Sequence, residues 1–405
     1  MNRPFSHLQN LRLAIIAGFI LAAPLMIAQE AATPITIGET IQFQSEILGE
    51  TRPLMIYKPV SYDITSDAYP VMYLLDGAGN FHHSTGVVRF LSEFHQMPRM
   101  LVVAIPNPSF ASRTRDLTPP VETDTSSNFS GGGGADNFLS FISDELMPYI
   151  EANYRTHPYR LLVGHSFGGL FAVHALISRP DVFDSYIAIS PSLWWDNQGL
   201  LPKADAFFDE AADLKGYFYM TMGNEGGNML SSAWKFAAIL EEKAPAEFGW
   251  QFTHMDDETH TTIPHRSTYH GLEAIFDGWH LGNPFMVYNS GGLEALNAHF
   301  AKLDEKFNFE IKTPETMLNN IGYRLMGQEK FDEAIHVFEQ NVVKYPTSYN
   351  VYDSLGEAFL KAGQTESAIA NYKKSLELNP DNTNARRVLG ELGVAEETAP
   401  ATAEE

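Results

Sequence analysis

Gly164-His165-Ser166-Phe167-Gly168 lies between an apolar β-rich run, Arg160–Val163, and a helical segment at Leu170. To pass from strand to helix within one tight turn the chain must bend sharply at Ser166, and the residues on either side come close together. Glycine at 164 and 168 leaves room for that bend. The serine hydroxyl is then carried to the carboxyl end of a strand, at the rim of the sheet that strand joins.

That sheet can be read from the surrounding chain. From about Ile35 to Leu281 short β-rich runs alternate with helical ones. Candidate strands are Leu54–Tyr57, Val71–Leu75, Leu101–Ile105, Arg160–Val163, Tyr186–Ile189, Tyr217–Met222 and Trp250–Met255. Several are continuous apolar runs, as strands covered on both faces are. Helical segments include Asn137–Asn153, before His157-Pro158, and Leu170–Ser178, before Arg179-Pro180. The alternation predicts one α/β domain on a mostly parallel sheet. The Gly131–Gly134 run before a helix reads as a hinge; it lacks the Gly-Lys-Ser/Thr ending of a phosphate loop, which argues against nucleotide binding.

A serine on such a turn is a nucleophile candidate, and the Phe167 amide at the following helix start would point at a developing oxyanion. In this kind of sheet the partners follow in the order serine, acid, histidine. The strand Tyr217–Met222 ends in Gly223-Asn224-Glu225, which puts Glu225 on a loop at the same rim as Ser166. Asp196 and the Asp256–Glu258 run compete with it as the acid. The next strand leads to His260 one loop later; the competing bases are His254, inside a strand by alternation, and His265 and His270. A metal reading of His254, Asp256, Asp257 and His260 matches no standard zinc spacing, and the elbow makes a metal unnecessary. No metal or other cofactor is expected. Trp194, Trp195, Phe81 and His82 are candidate walls of a substrate pocket, with core packing the alternative for the tryptophans. Arg115 and Asp116 read as a structural ion pair.

Charge and termini narrow the setting. With 27 Lys+Arg against 50 Asp+Glu the formal net charge is −23, which argues against nucleic acid or an anionic membrane surface as partner. The 405 residues include no cysteine, so disulfides and thiolate chemistry are excluded, while the redox compartment stays open. Arg3 and Arg12 precede an uncharged run, Leu13–Ile27, the pattern of a signal peptide. Cleavage near Ala28 is expected, though Met26 stands where a small residue is preferred, and an uncleaved anchor is the other reading. Residues 1–28 are therefore read as a signal peptide, the remainder as exported, periplasmic or secreted, with no membrane span in the mature chain.

Toward the C-terminus Gly322, Ala334, Phe338 and Pro346 recur thirty-four residues on as Gly356, Ala368, Tyr372 and Pro380; Leu325 maps onto Phe359, and Gly390 continues the spacing. That period, with small residues at helix crossings and a closing proline, is the tetratricopeptide pattern. The expected division is 35–282 catalytic, 283–313 a helical connector, 314–393 repeats and 394–405 a disordered acidic tail. The repeats either pack on the catalytic part, self-associate or hold a protein partner.

The chain resembles the putative-esterase (esterase D-like) family of α/β-hydrolases, which includes siderophore esterases, feruloyl esterases and mycolyl acyltransferases. The similarity covers roughly Ile41–Gly282. It rests on Tyr73-Leu74-Leu75-Asp76-Gly77, Arg113-Thr114-Arg115-Asp116-Leu117-Thr118-Pro119, Glu145-Leu146-Met147-Pro148-Tyr149-Ile150, Gly164–Gly169 and Ser190-Pro191-Ser192-Leu193-Trp194-Trp195. The resemblance implies an α/β-hydrolase sheet with flanking helices, Ser166 as nucleophile and His260 as base. It also implies a second oxyanion donor just after Asp76-Gly77, the Ala78 amide. The activity it implies is hydrolysis of a small-molecule carboxylic ester. A siderophore-type trilactone esterase, an acyltransferase, and a repeat scaffold with a vestigial hydrolase domain are the alternatives.

Overall fold

The computed structural model describes residues 33–63, 65, 67–122 and 131–394. The expected signal peptide lies outside the described residues, as does the acidic tail from residue 395 on. Contacts divide the chain into residues 1–36 and 37–405, and everything below concerns the second unit.

The strands are β1 Glu39–Ser45, β2 Glu50–Tyr57, β3 Tyr69–Leu75, β4 Leu101–Ile105, β5 Thr156–His165, β6 Ser185–Ile189, β7 Gly216–Gly223 and β8 Phe248–Met255. They form one sheet in the order β1-β2-β4-β3-β5-β6-β7-β8. β1 and β2 make an antiparallel hairpin and β2 runs antiparallel to β4, while every pairing from β4 to β8 is parallel. This is the α/β-hydrolase sheet. Every residue of β3, β4 and β6 is buried, which accounts for their continuous apolar sequences.

Helices cover both faces. In chain order they are α1 Gly77–Glu93, α2 Phe110–Leu117, α3 Ala135–Ser140, α4 Met147–Asn153, α5 Phe167–Ser178, α6 Trp195–Gln198, α7 Leu200–Glu210, α8 Asn228–Lys243 and α9 Ile263–Ile275. A wider π-helical stretch, Phe141–Leu146, joins α3 to α4. Because side chains alternate along a strand, β3 serves two cores. Val71, Tyr73 and Leu75 join Phe171 of α5 and Phe236 of α8 on one side; Met72 and Leu74 join Leu91 of α1 and Leu272 of α9 on the other.

The edge strand β1 was not among the seven expected. Only Ile41 and Phe43 are apolar in its interior, and its other residues up to Gln44 are exposed, so the apolar signal is too short to announce a strand. The Gly131–Gly134 run, expected as a hinge, is pinned instead. Thr118 O accepts from the Gly133 and Ala135 amides, both at 3.2 Å, and Gly132 lies so close under the Trp195 ring that a Cβ there would sit 2.9 Å from it.

Beyond the sheet come α10 Pro284–Phe307, α11 Glu315–Met326, α12 Phe331–Lys344, α13 Tyr349–Lys361, α14 Thr365–Leu378 and α15 Thr383–Glu391. The 34-residue spacing has a direct steric cause. A Cβ on Gly322 would lie 2.5 Å from the Phe338 ring, and one on Gly356 3.2 Å from the Tyr372 ring. Each glycine thus seats the aromatic residue of the following helix. The first pair does not stand apart: Leu318, Leu325 and Phe338 belong to the same core as Leu272 and Leu91, linked through Leu296 and Phe300 of α10. The second pair and α15 share a small cluster around Ala368, Tyr372 and Leu389. Among the described residues, no helix is long and apolar enough to cross a membrane.

These two crossings predict unequal tolerance. Gly322→Ala should lose stability by about 1–3 kcal/mol from overpacking against Phe338, whereas at Gly356 the helix propensity of alanine, worth about 1 kcal/mol, should offset the milder contact. Urea unfolding of both variants checks this; equal shifts would refute it.

Candidate active site

Ser166 has φ 62° and ψ −113°, between the last residue of β5 and the first of α5. The strained backbone is held from several directions. Its amide donates to Ile189 O at 2.9 Å, and its carbonyl accepts from Leu170 at 3.0 Å and Ser192 at 3.1 Å. A Cβ on Gly164 would meet Gly168 O at 2.2 Å, so only glycine fits at 164. Helix α5 therefore begins at Phe167, three residues before the apolar pattern alone suggests. The Ser166 hydroxyl lies 3.4 Å from Ser192 Oγ.

Two further loops reach the same rim. Glu225 follows β7 and His260 lies between β8 and α9; the loops are joined by Asn224, whose amide donates to Glu258 O at 2.7 Å. His260 Nδ1 and Glu225 Oε2 are 2.5 Å apart. The other carboxylate oxygen accepts from Ser190 Oγ, also at 2.5 Å. Ser190 follows β6 directly, and its hydroxyl in turn accepts from the Gly223 amide at 3.3 Å. Burial disfavours charge on Glu225, but the hydrogen bonds with His260 and Ser190 outweigh it and hold the carboxyl below the usual carboxylate range.

His165, next to the serine, packs its ring against that of His260 with centroids 4.5 Å apart. Burial, with the His260 charge second, pushes the His165 imidazole down to about 4, so it is neutral at ordinary pH. His165 can therefore support the His260 ring without competing for its proton.

The elbow is tied to the loop after β3. Asp76 takes a left-handed backbone, φ 53° and ψ 41°, and Gly77 then opens α1 against β4, where a Cβ would lie 2.9 Å from Ile105 N. Ala78 is the second residue of α1, and the amides of Gly79 and Asn80 donate to Asp76 O. Arg113 grips the Asp76 carboxylate through Nε at 2.6 Å and Nη2 at 2.9 Å, and Nη2 also donates to His165 O at 3.2 Å. Asn107 donates to the same carboxylate at 2.5 Å, and the guanidinium lies 5.2 Å from the Phe167 ring centroid. Arg113 is carried on α2, whose start is set by a reciprocal Ser109–Ser112 capping box. One cation thus joins the Ala78 turn, the elbow strand and Phe167.

The other sequence candidates have different surroundings. Asp196 accepts from the Glu122 amide at 2.9 Å, while Glu225 is the carboxylate that meets His260. Asp257 and Glu258 pair with Arg266, His254 lies exposed on β8, and His270 pairs with Glu273. His265 stands edge-on to His83, ring centroids 5.6 Å apart. Phe81 is buried among the α1-side apolar residues, whereas His82 is exposed. Trp195 is buried, donates its indole N–H to Pro119 O at 3.0 Å and stands edge-on to Phe167 at 5.6 Å; Trp194 is half-buried, 6.1 Å from Phe167. Arg115 and Asp116 do pair, at 2.6 Å, within a network that also holds Glu50 and the fully buried Arg52. No local sequence signal gives the contacts of Arg113, Asn107, Ser190 and His165. Arg113, Ser190 and His165 stand inside motifs already noted, but only folding reveals what they touch.

A serine at a strained strand-to-helix turn, with a histidine and a carboxylate brought to the same rim by later loops, is the arrangement that serine hydrolases on an α/β-hydrolase sheet use. Residues 45–260 match the family model described as putative esterase, and the chain belongs to that family. Residues 356–392 match a TPR repeat model. Among curated proteins, the chain is 37% identical over 169 residues to a siderophore enterobactin esterase of Emericella nidulans, covering 38% of this chain and 55% of that protein. It is 34% identical over 190 residues to a siderophore triacetylfusarinine C esterase of Aspergillus fumigatus, covering 44% and 64%. The chain thus spans little more than half to just under two thirds of these relatives. An IroE-like serine hydrolase from Shewanella oneidensis superposes with a TM-score of 0.64 at 27% identity, covering 75% of this chain and 98% of that one.

Removing the linking cation should be costly. Arg113→Met leaves the partly buried Asp76 carboxylate without its ion-pair partner, and a loss of about 2–4 kcal/mol is expected in urea unfolding. An unchanged midpoint would show that the loop after β3 is held by other means.

Proposed function

We propose that this protein is a serine carboxylesterase that works through an acyl-enzyme on Ser166. The observation that carries the reading is the pairing of a strained Ser166 turn with a Glu225–His260 hydrogen bond at the same sheet rim. In this reading Ser166 Oγ attacks the ester carbonyl, and His260 takes its proton and returns it to the leaving alcohol. Glu225, fixed by Ser190 on its far oxygen, holds the proton on His260 Nδ1 and steadies the imidazolium. The amides of Phe167 and Ala78 receive the oxyanion, each such donor being worth about 3 kcal/mol in the transition state. Water, activated by the same His260, then releases the acid.

For the substrate, the named relatives favour a siderophore-type ester, a cyclic triester whose lactone carbonyls present the same target as a simple ester. The charged-then-apolar pattern of residues 3–27 supports export, and the repeats support a protein partner or self-association.

Hydrolysis of p-nitrophenyl esters of two to twelve acyl carbons, together with enterobactin and triacetylfusarinine C, tests the reading. Ser166→Ala should lower kcat by on the order of 10⁴ to 10⁶ with the fold intact. Glu225→Ala should cost about 10² to 10⁴, while Asp196→Asn should keep near-wild-type turnover. Turnover that survives Ser166→Ala would sink the assignment; turnover confined to simple esters would reject the siderophore substrate alone.

A further inference from the structure

A cavity lies away from Ser166, where the chain after α9 meets the first repeat. Its volume is about 310 Å³, at the small end of the range for ligand pockets. Trp279, Phe285, Phe300 and Ile321 supply apolar walls. The ionisable groups in its lining are His95, His280 and Arg324, and the described lining contains no carboxylate. In a chain with 50 acidic and 27 basic residues that is a local inversion of charge. Arg324 makes no ion pair among the described residues; its guanidinium lies 4.1 Å from the Phe285 ring centroid. His95 stands just beyond the C-terminal end of α1, whereas Ala78 stands at its start. That helix has 17 residues, so about 25 Å separates His95 from Ala78.

We propose that this cavity binds a small amphipathic carboxylate, an acid with an aromatic or short aliphatic body. The body packs among Trp279, Phe285 and Phe300, and the carboxylate pairs with Arg324 beside the two imidazoles. A guanidinium already stacked on an aromatic ring is held in place for a planar anion, which lowers the ordering cost of binding. A neutral ligand would leave that cation unused, and a dianion would exceed the charge offered. The assignment does not depend on the chemistry proposed for Ser166. Because the walls come from the chain after α9, from α10 and from α11, a bound acid would brace the first repeat against the catalytic body.

Calorimetric titration of the full chain with 3-phenylpropionate tests this, using 3-phenylpropionamide as the neutral comparator. The acid should bind with Kd on the order of 0.1–1 mM, and the amide about tenfold more weakly or less. Arg324→Gln should weaken the acid by about tenfold, and Arg324→Lys, which keeps the charge but not the stacked planar fork, should restore only part of it. Turnover of p-nitrophenyl acetate should be the same in Arg324→Gln as in the wild type. Equal binding of acid and amide, unchanged affinity in Arg324→Gln, or no binding at about 10 mM ligand overturns the proposal. Lack of turnover in the wild type would bear on the Ser166 reading alone and leave the binding comparison standing.

Discussion

The close approach of Gly164 and Gly168 governs the rest of the site. A Cβ at residue 164 would sit 2.2 Å from Gly168 O, so β5 can run directly into α5 only while that position carries no side chain. The approach forces Ser166 into a backbone that most residues avoid, and such strain persists only where the surroundings over-determine it. Here the surroundings are the neighbouring strand ends: Ile189 of β6 accepts from the Ser166 amide, and Ser192 donates to its carbonyl. Ser190, between them, anchors Glu225. The end of β6 therefore supports both the serine and the carboxylate, and a shift in one would be felt by the other.

Charge plays a comparable role on the opposite side. Asp76 and Arg113 are both largely shielded, and each has its charge answered in more than one direction, Asp76 by Arg113 and Asn107, Arg113 by Asp76 and His165 O. A shielded pair is a weak source of stability but a demanding source of geometry, since either partner alone would be a buried charge without compensation. That geometry aligns the start of α1 with the start of α5, two helices whose positive ends face the same rim.

How much of this could be read in advance depended on range. The parallel core strands, the Ser166 turn and the 34-residue repeat each announce themselves within a few residues, because burial on both faces, a sharp bend and a helix crossing leave local traces. The pairing of Glu225 with His260 follows from loop order along the sheet. What stayed hidden is what depends on contacts between distant segments. Nothing local shows that Arg113 reaches across to Asp76 and His165, or that Ser190 holds Glu225. Phe81 shows the same limit: it follows the Asp76-Gly77 turn in sequence, and its burial in the core comes from helix periodicity. The edge strand β1 escaped because strands with one wet face and two apolar residues look like loops.

The core that runs from Leu91 and Leu272 through Phe300 to Leu325 and Phe338 has a bearing on how the molecule is made. A chain emerging N-terminus first presents the α1 and α9 side of its sheet before the helices that finish covering it exist. Until α11 and α12 arrive, part of that apolar face is left to water or to a chaperone. The first repeat is therefore no pendant accessory that could be trimmed without consequence; it is the last course of masonry on one wall of the enzyme-like body, laid some 150 residues after the serine turn.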